Sequence, residues 1–399
     1  MKGMFIIMKK ILKKTIVRLN LIKTCSVFFY IFRLIPIKKN KIVFVNFSGK
    51  GYGDNPKYIL NYLNNRQNEN IDYVWLTSNL NDKRFPKNVR RVKMFSIKSF
   101  FELATAKVWI NNSRFDQFVI KRKGQFYIQT WHGGLALKKI EYDAEEKMSE
   151  YYKKVMKNDN KMIDLMLSNS TFCTNMYKRG FKYNGDILEV GSPRNDILIN
   201  ENSEIKNNIC QKYGIDKNEK ILLYAPTFRK NYDNNPYDID FNLLKKILSE
   251  TTGYKWNILI RLHPQISDAS KYIKDISNYI DVTTYNDIQE LIYSCDMLIT
   301  DYSSTMFEAM IANKPVIIYA NDISNYNNER GMYFDFSNLP FPLTKNNDEL
   351  KQCIQNIKFD SIIEKYNLFK KNIGLNESGN ASKIVGDLIL NILRGEKNE

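Results

Sequence analysis

Histidine is almost missing from this chain. Two occur in 399 residues, His132 in "YIQTWHGGLALKK" and His263 in "LIRLHPQ". Each stands beside glycine or proline and close to basic residues, a setting that marks both for chemistry more than for surface filling. Cysteine is also sparse. Cys25, Cys173, Cys210, Cys295 and Cys353 are far apart and form no CxxC pair, which excludes a zinc site and a disulfide framework and fits reduced thiols in a cytosolic protein. No run of about 18 uncharged apolar residues occurs, which argues against a membrane-spanning helix. Acidic residues are absent until Asp54, whereas eleven Lys or Arg fall within the first 41 positions. Most of the net charge of +17 therefore belongs to one segment. Nucleic-acid binding, which would spread basic charge through the folded domains, is excluded on that ground.

What is present is the material of a folded protein, 43% hydrophobic and 13% aromatic, with length for two domains. The basic segment, residues 1–40, has apolar residues at helical spacing with lysines between them. Lys23 breaks its apolar run and no small-residue cleavage site follows, so it does not read as a signal peptide. It reads as a cationic amphipathic helix lying on an anionic membrane, anchored by Phe28, Phe29, Tyr30 and Phe32. The alternative is a helix packed on its own domain with a solvated basic face.

From Lys41 onward, short β-rich runs alternate with helical stretches. "KIVFVNF", "DYVWLTS", "KVWINN", "FYIQTW", "DLMLSNS" and "DILEVGSP" read as strands. After a polar helical stretch, "KILLYAPT", "KWNILIRLHP", "IDVTTY", "DMLITDYSS" and "PVIIYAN" repeat the pattern. This alternation predicts an α/β fold of two Rossmann-like domains, 41–205 and 206–399, facing a cleft. The last helices, "SIIEKYNLFKKNIG" and "ASKIVGDLILNILRG", are candidates to pack back across the boundary.

Ligands in such folds bind outside the carboxyl ends of the strands, and the unusual polar groups gather there. In "DYSSTMFE", Ser303 and Ser304 open a helix whose N-terminal N–H groups suit a pyrophosphate, with Glu308 one turn in. Plain N-capping by Asp301 or Ser303 is the alternative. "RLHP" offers Arg261 for bidentate phosphate contact and His263 for a bridging or leaving oxygen. "YAPTFRK" offers Thr227 and Arg229, and "GSPRND" offers Arg194 near the hinge. Any of these arginines alone could be a surface ion pair. His132 is followed by Gly133 and Gly134, which let backbone approach a ligand closely, and by Lys138 and Lys139. Its neutral imidazole suits proton abstraction from a hydroxyl; a buried structural histidine is the other reading. "SGKGYGDNPKYI", with Gly51, Asp54 and Asn55, is a weak dinucleotide signal because the third glycine is missing. It reads equally as a loop over an acceptor.

Taken together, "GYGDNPKYI", "QTWHGG", "SNS", "VGSPRND", "LYAPTFR", "RLHP", "DYSSTMFE", "KPVIIY" and "ERGMYFDF" resemble the CDP-glycerol glycerophosphotransferases of teichoic-acid and capsule synthesis. The resemblance runs from about residue 45 to 336. It implies a GT-B fold and transfer of glycerol phosphate, or ribitol phosphate, from CDP-glycerol or CDP-ribitol to a lipid-linked glycan acceptor, with release of CMP. It implies no cofactor or required metal, and a place on the cytoplasmic face of the membrane. The donor site it implies comprises His132, Gly133, Gly134, Arg194, Pro226, Thr227, Arg261, His263, Ser303, Ser304 and Glu308. Two positions depart from the family pattern: "GLAL" stands where many members carry proline, and Glu308 where many carry Asp. A GT-B glycosyltransferase using a nucleotide sugar and a non-catalytic membrane-surface binding protein are the competing readings. No oligomeric state follows from the sequence.

Overall fold

The computed structural model describes residues 24–66, 70–227, 237–262, 279–323 and 331–396. Two parallel sheets carry the architecture. The first contains β1 (Lys38–Val45), β2 (Asp72–Thr77), β3 (Arg90–Lys93), β4 (Ala106–Asn111), β5 (Phe126–Gln129), β6 (Leu165–Ser168) and β7 (Asp186–Glu189). Their spatial order is β3-β2-β1-β4-β5-β6-β7. The second contains β8 (Lys220–Tyr224), β9 (Trp256–Ile260), β10 (Ile280–Asp281), β11 (Met297–Thr300), β12 (Val316–Tyr319) and β13 (Leu343–Thr344), in the order β10-β9-β8-β11-β12-β13. Each sheet therefore reverses its winding once, between β1 and β4 and between β8 and β11. Those two reversals open the crevices in which doubly wound folds hold ligands.

The strand sequences explain the sheets. Parallel strands covered on both faces must be apolar throughout, and β4, β6, β8, β9, β11 and β12 are buried along almost their whole length. In β1, Phe44 stacks on Trp75 of β2 with ring centroids 5.5 Å apart, and both are fully buried. Burying each such side chain contributes about 1.5–3 kcal/mol. β3 was not anticipated. It is an edge strand reading "RRVK" of which only Val92 is buried, so its sequence carries no apolar alternation. β13 has two residues and was missed for its shortness. "IDVTTY" forms strand only at Ile280–Asp281.

Helices α2 (Asp54–Asn65), α3 (Ile97–Thr105), α4 (Glu150–Asn160) and α5 (Thr171–Gly180) accompany the first sheet. Caps set their starts: the Ser96 and Ser170 side chains accept from Ser99 N and Cys173 N. The C-terminal helix, Ala381–Arg394, returns to this sheet. Its Val385, Ile389 and Leu390 join the core formed by Ile42, Phe44, Trp75 and Ile110, and Tyr62 Oη donates to Asp387 at 2.7 Å.

Residues 24–32 are helical and form α1; most of the basic segment lies outside the described residues. Three of the four expected membrane anchors face inward instead. Phe29 is fully buried and meets Phe100 of α3 at 5.5 Å, while Phe28 and Phe32 contact Phe100 and Phe101. Aromatic side chains find a better environment in that cluster than in water. Tyr30 remains exposed, as do Val27, Ile31 and Leu34. No helix of the described residues is long and apolar enough to cross a membrane.

Candidate functional site

The strand ends at the first reversal are knitted together by asparagines. Asn46 follows β1 and Asn112 follows β4, and Asn112 Nδ2 donates to Asn46 Oδ1 at 2.7 Å. Asn112 Oδ1 accepts from Phe47 N at 2.7 Å, and Asn46 Nδ2 donates to the Gly51 carbonyl at 3.0 Å. This network holds an unusual turn in which Phe47, Ser48, Gly49, Gly51 and Asp54 all have positive φ. For the non-glycine residues such backbone is costly and persists only when its surroundings impose it.

His132 leaves β5 on the next loop. Trp131, with φ +51°, is pinned by Gln129 Oε1, which accepts from its N–H at 2.9 Å. Asn55 Nδ2 donates to the Trp131 and Thr130 carbonyls at 3.0 and 3.3 Å. The His132 ring packs on Trp131 at 4.2 Å and on Phe47 at 5.0 Å. Its Nδ1 lies 2.6 Å from the Asn112 carbonyl. A carbonyl only accepts, so Nδ1 carries the proton and the Nε2 lone pair is free in the neutral ring. Burial holds the imidazole below its ordinary value of 6.5, against the opposing influence of the Asn112 carbonyl and Asp54. The neutral form therefore prevails at pH 7. Behind it, a Cβ on Gly133 would meet nothing within 4 Å, whereas one on Gly134 would collide with Asn169.

Arg194 ties this loop cluster to the second sheet. Its Nη1 donates to Asp54 Oδ2 at 2.6 Å, its Nη2 pairs with Glu308, and its backbone N–H donates to Asn55 Oδ1 at 3.0 Å. The side chains of all three charged residues are buried. Burial alone would lower the guanidinium; Asp54 and Glu308 together raise it. Glu308 is displaced upward by burial, with Arg194 opposing, and accepts from Gln289 Nε2 at 2.9 Å. A continuous chain of contacts thus runs from Glu308 through Arg194 and Asn55 to the backbone beside His132. Lys57 and Tyr58 add a second bridge, donating to Asp287 Oδ2 at 2.6 and 2.9 Å.

At the second reversal the groups are less committed. Ser303 and Ser304 precede α6 (Thr305–Ile311), and Ser304 makes no side-chain capping bond. Ser303 Oγ accepts from Thr305 Oγ1 at 2.9 Å. Arg261, half-buried after β9, donates to the Tyr285 carbonyl at 3.3 Å. Among the described residues it has no carboxylate in salt-bridge range, and burial lowers its pKa, with Asp287 and Glu308 opposing. Thr227 is tied to the strand end beside it: its N–H and hydroxyl both donate to the Asp301 carboxylate, at 2.9–3.1 Å. Pro226 is buried beside it. Lys138 forms an antiparallel bridge with Met332, where "LALKK" meets the segment from Gly331. Arg229 and His263 lie outside the described residues.

Sequence reading overlooked Asn46, Asn112, Asp287 and Gln289. The two asparagines were accessible, since each directly follows a strand, where the other candidates were sought. Asp287 and Gln289 sit at the start of a short helix (Ile288–Ser294), where Asp287 accepts from Gln289 N and reads in sequence as a plain N-cap.

The sequence family described as CDP-glycerol:poly(glycerophosphate) glycerophosphotransferase matches residues 27–391. The teichoic acid poly(glycerol phosphate) polymerase of Bacillus spizizenii is 32% identical over 382 residues, covering 93% of this chain and 97% of that one. The teichoic acid poly(ribitol-phosphate) polymerase of the same organism is 28% identical over 372 residues, covering 90% of this chain and 58% of that one. A solved structure of the wall teichoic acid polymerase TagF, a variant soaked with CDPG, superposes with a TM-score of 0.81 at 29% identity. It covers 96% of this chain and 98% of that one.

Proposed function

The chain belongs to the CDP-glycerol:poly(glycerophosphate) glycerophosphotransferase family, and from that premise we propose that it transfers glycerol phosphate from CDP-glycerol to a hydroxyl of a lipid-linked or polymeric cell-wall glycan, releasing CMP. The observation that carries the reading is the half-buried, neutral His132 with its Nε2 lone pair free. Nε2 takes the proton of the acceptor hydroxyl as the oxygen attacks the β-phosphorus in line. A new P–O bond forms, the bond to CMP breaks, and CMP leaves with the bridging oxygen.

Residues 206–399 supply the donor side. Arg261, without a carboxylate partner among the described residues, is placed to neutralise a diphosphate oxygen. Backbone N–H groups before Thr305 offer further donors, and His263 is assigned to the same diphosphate. Gly133 leaves room on the base side. Residues 41–205 supply the acceptor side, with the Gly51–Asn55 turn and Lys138 along its edge. Arg194 acts by holding Asp54 and Glu308. Cationic side chains suffice for the charge in this proposal, and no metal or other cofactor takes part. CDP-ribitol is the alternative donor, supported by the ribitol-phosphate relative. Exposed Val27, Tyr30, Ile31 and Leu34, within the basic segment, support attachment to the anionic cytoplasmic membrane surface.

The test pairs donor binding with product analysis. CDP-glycerol should raise the melting temperature and CMP should compete with it, because a ligand that binds only the folded state stabilises it. Mass spectrometry should show glycerol-phosphate units added to a lipid-linked acceptor. Stabilisation and transfer with UDP-glucose, and with neither CDP-polyol, would replace this reading by a glycosyltransferase.

A further inference from the structure

A cavity of about 280 Å³ lies against His132 in the first domain. Its walls carry a set of aromatic side chains, Phe100, Phe115, Trp131 and Tyr152 among them, and Phe95, which also lines it, is 56% exposed. Four small uncharged polar side chains, Ser48, Ser99, Ser113 and Asn111, also line it, and the Ser99 hydroxyl is taken by the Ser96 carbonyl at 2.6 Å. Ser113 Oγ accepts from Ser48 N at 3.2 Å and faces Ser48 Oγ at 3.5 Å. Asn111 is 1% exposed. Its Oδ1 accepts from Ser113 N at 3.1 Å, but among the described residues its Nδ2 has no hydrogen bond of ordinary geometry. The nearest partner for that amide is the Tyr127 hydroxyl, which also accepts from Gln129 Nε2 at 2.7 Å and donates to Asp159 Oδ1 at 3.2 Å. A buried amide left this way is costly unless a guest or water satisfies it.

The charge on the walls narrows the occupant. Arg114 lines the cavity, but Glu141 and Asp159 hold its guanidinium at 2.7 and 2.9 Å. Asp116, the acidic lining residue, accepts from Tyr151 Oη. No cation on the described walls is left for a phosphate. Aromatic faces with hydroxyls and an amide suit instead the C–H faces and O–H groups of an uncharged polyol or sugar unit. The cavity also lies between His132 and the N-terminal helix, because Phe100 lines it and touches Phe28 and Phe29.

We propose that this cavity is the subsite for the uncharged terminal polyol or sugar unit of the acceptor, positioning its hydroxyl at His132. The proposal rests on the glycerophosphotransferase reading. The phosphates of a growing chain lie outside the cavity, and the unit inside it fixes which hydroxyl reaches the base.

The experiment uses the full chain, CDP-glycerol and a soluble probe acceptor of three glycerol-phosphate units on a hexyl group. Val155→Phe fills the cavity from α4, where Val155 lines it, and Ser113→Ala removes one hydroxyl. Val155→Phe should raise the acceptor KM roughly 10-fold or more and Ser113→Ala roughly 3-fold. The Kd for CDP-glycerol by calorimetry should stay within about two-fold for both. Free glycerol should compete with the probe acceptor in the wild type and lose that effect in Val155→Phe. A folded Val155→Phe with the wild-type acceptor KM overturns the proposal; if that variant does not fold, an unchanged KM in Ser113→Ala does so. Failure of the glycerophosphotransferase reading looks different: the wild type itself would neither bind CDP-glycerol nor transfer from it.

Discussion

Arg194 and Arg261 each follow a strand, β7 and β9 respectively, and the sequence offered both as phosphate ligands. The structure treats them oppositely. Arg194 is spent on Asp54 and Glu308, and those carboxylates keep its charge in place despite burial. Arg261 has a backbone carbonyl and, among the described residues, no ion pair, so burial weakens its hold on the proton. A buried guanidinium with its carboxylates is part of the frame, whereas a half-buried one without them keeps its charge uncompensated. The same contrast separates the two reversals. Around β1 and β4, asparagine side chains and strained turns are interlocked, whereas Ser304 and Arg261 on the second sheet keep donors in reserve.

Substitution should separate the two arginines. Arg194→Ala leaves two carboxylates buried without their cation, which is expected to cost about 3–5 kcal/mol of stability. A lowered Tm and urea midpoint would show it; an unchanged Tm would mean that the clamp is not structural. Arg261→Ala should leave Tm near the wild-type value and weaken CDP-glycerol binding about 10–100-fold, the scale of a charge-assisted contact. Calorimetry checks this, and an unchanged Kd would remove Arg261 from the donor site. The smallest effect is expected at the bridge between α2 and the second domain. Lys57→Met, which removes contacts to Asp287 and Glu290, should cost about 1 kcal/mol, detectable as a modest shift in the same unfolding curves.

Much of this arrangement was legible before any coordinates. Buried parallel strands read as apolar runs, so β1, β2, β4 and β8 were found from sequence, and β3 failed because three of its four residues face solvent. His132 stood out because one of two histidines, followed by two glycines, is conspicuous. Its bond to Asn112 was not legible, although that residue follows a strand as the other candidates do, because the bond runs to a backbone carbonyl 20 residues away and no residue type encodes that. The phenylalanines of α1 show a similar limit. An apolar helix face looks the same in sequence whether lipid or Phe100 covers it, and only the fold decides. Thr227 illustrates the converse: its place after β8 is correct for a ligand contact, yet Asp301 takes both of its donors.

The central claim is that His132 Nε2 receives the acceptor's proton, and turnover as a function of pH in the wild type and His132→Ala tests it most directly. A protonated imidazole cannot accept, so wild-type turnover should fall on the acid side with a midpoint below 6.5, where burial places this group. His132→Ala should lose roughly 10²-fold or more in turnover, keep its affinity for CDP-glycerol, and lack that acid limb. A folded His132→Ala enzyme with wild-type turnover and the same acid limb would contradict the account.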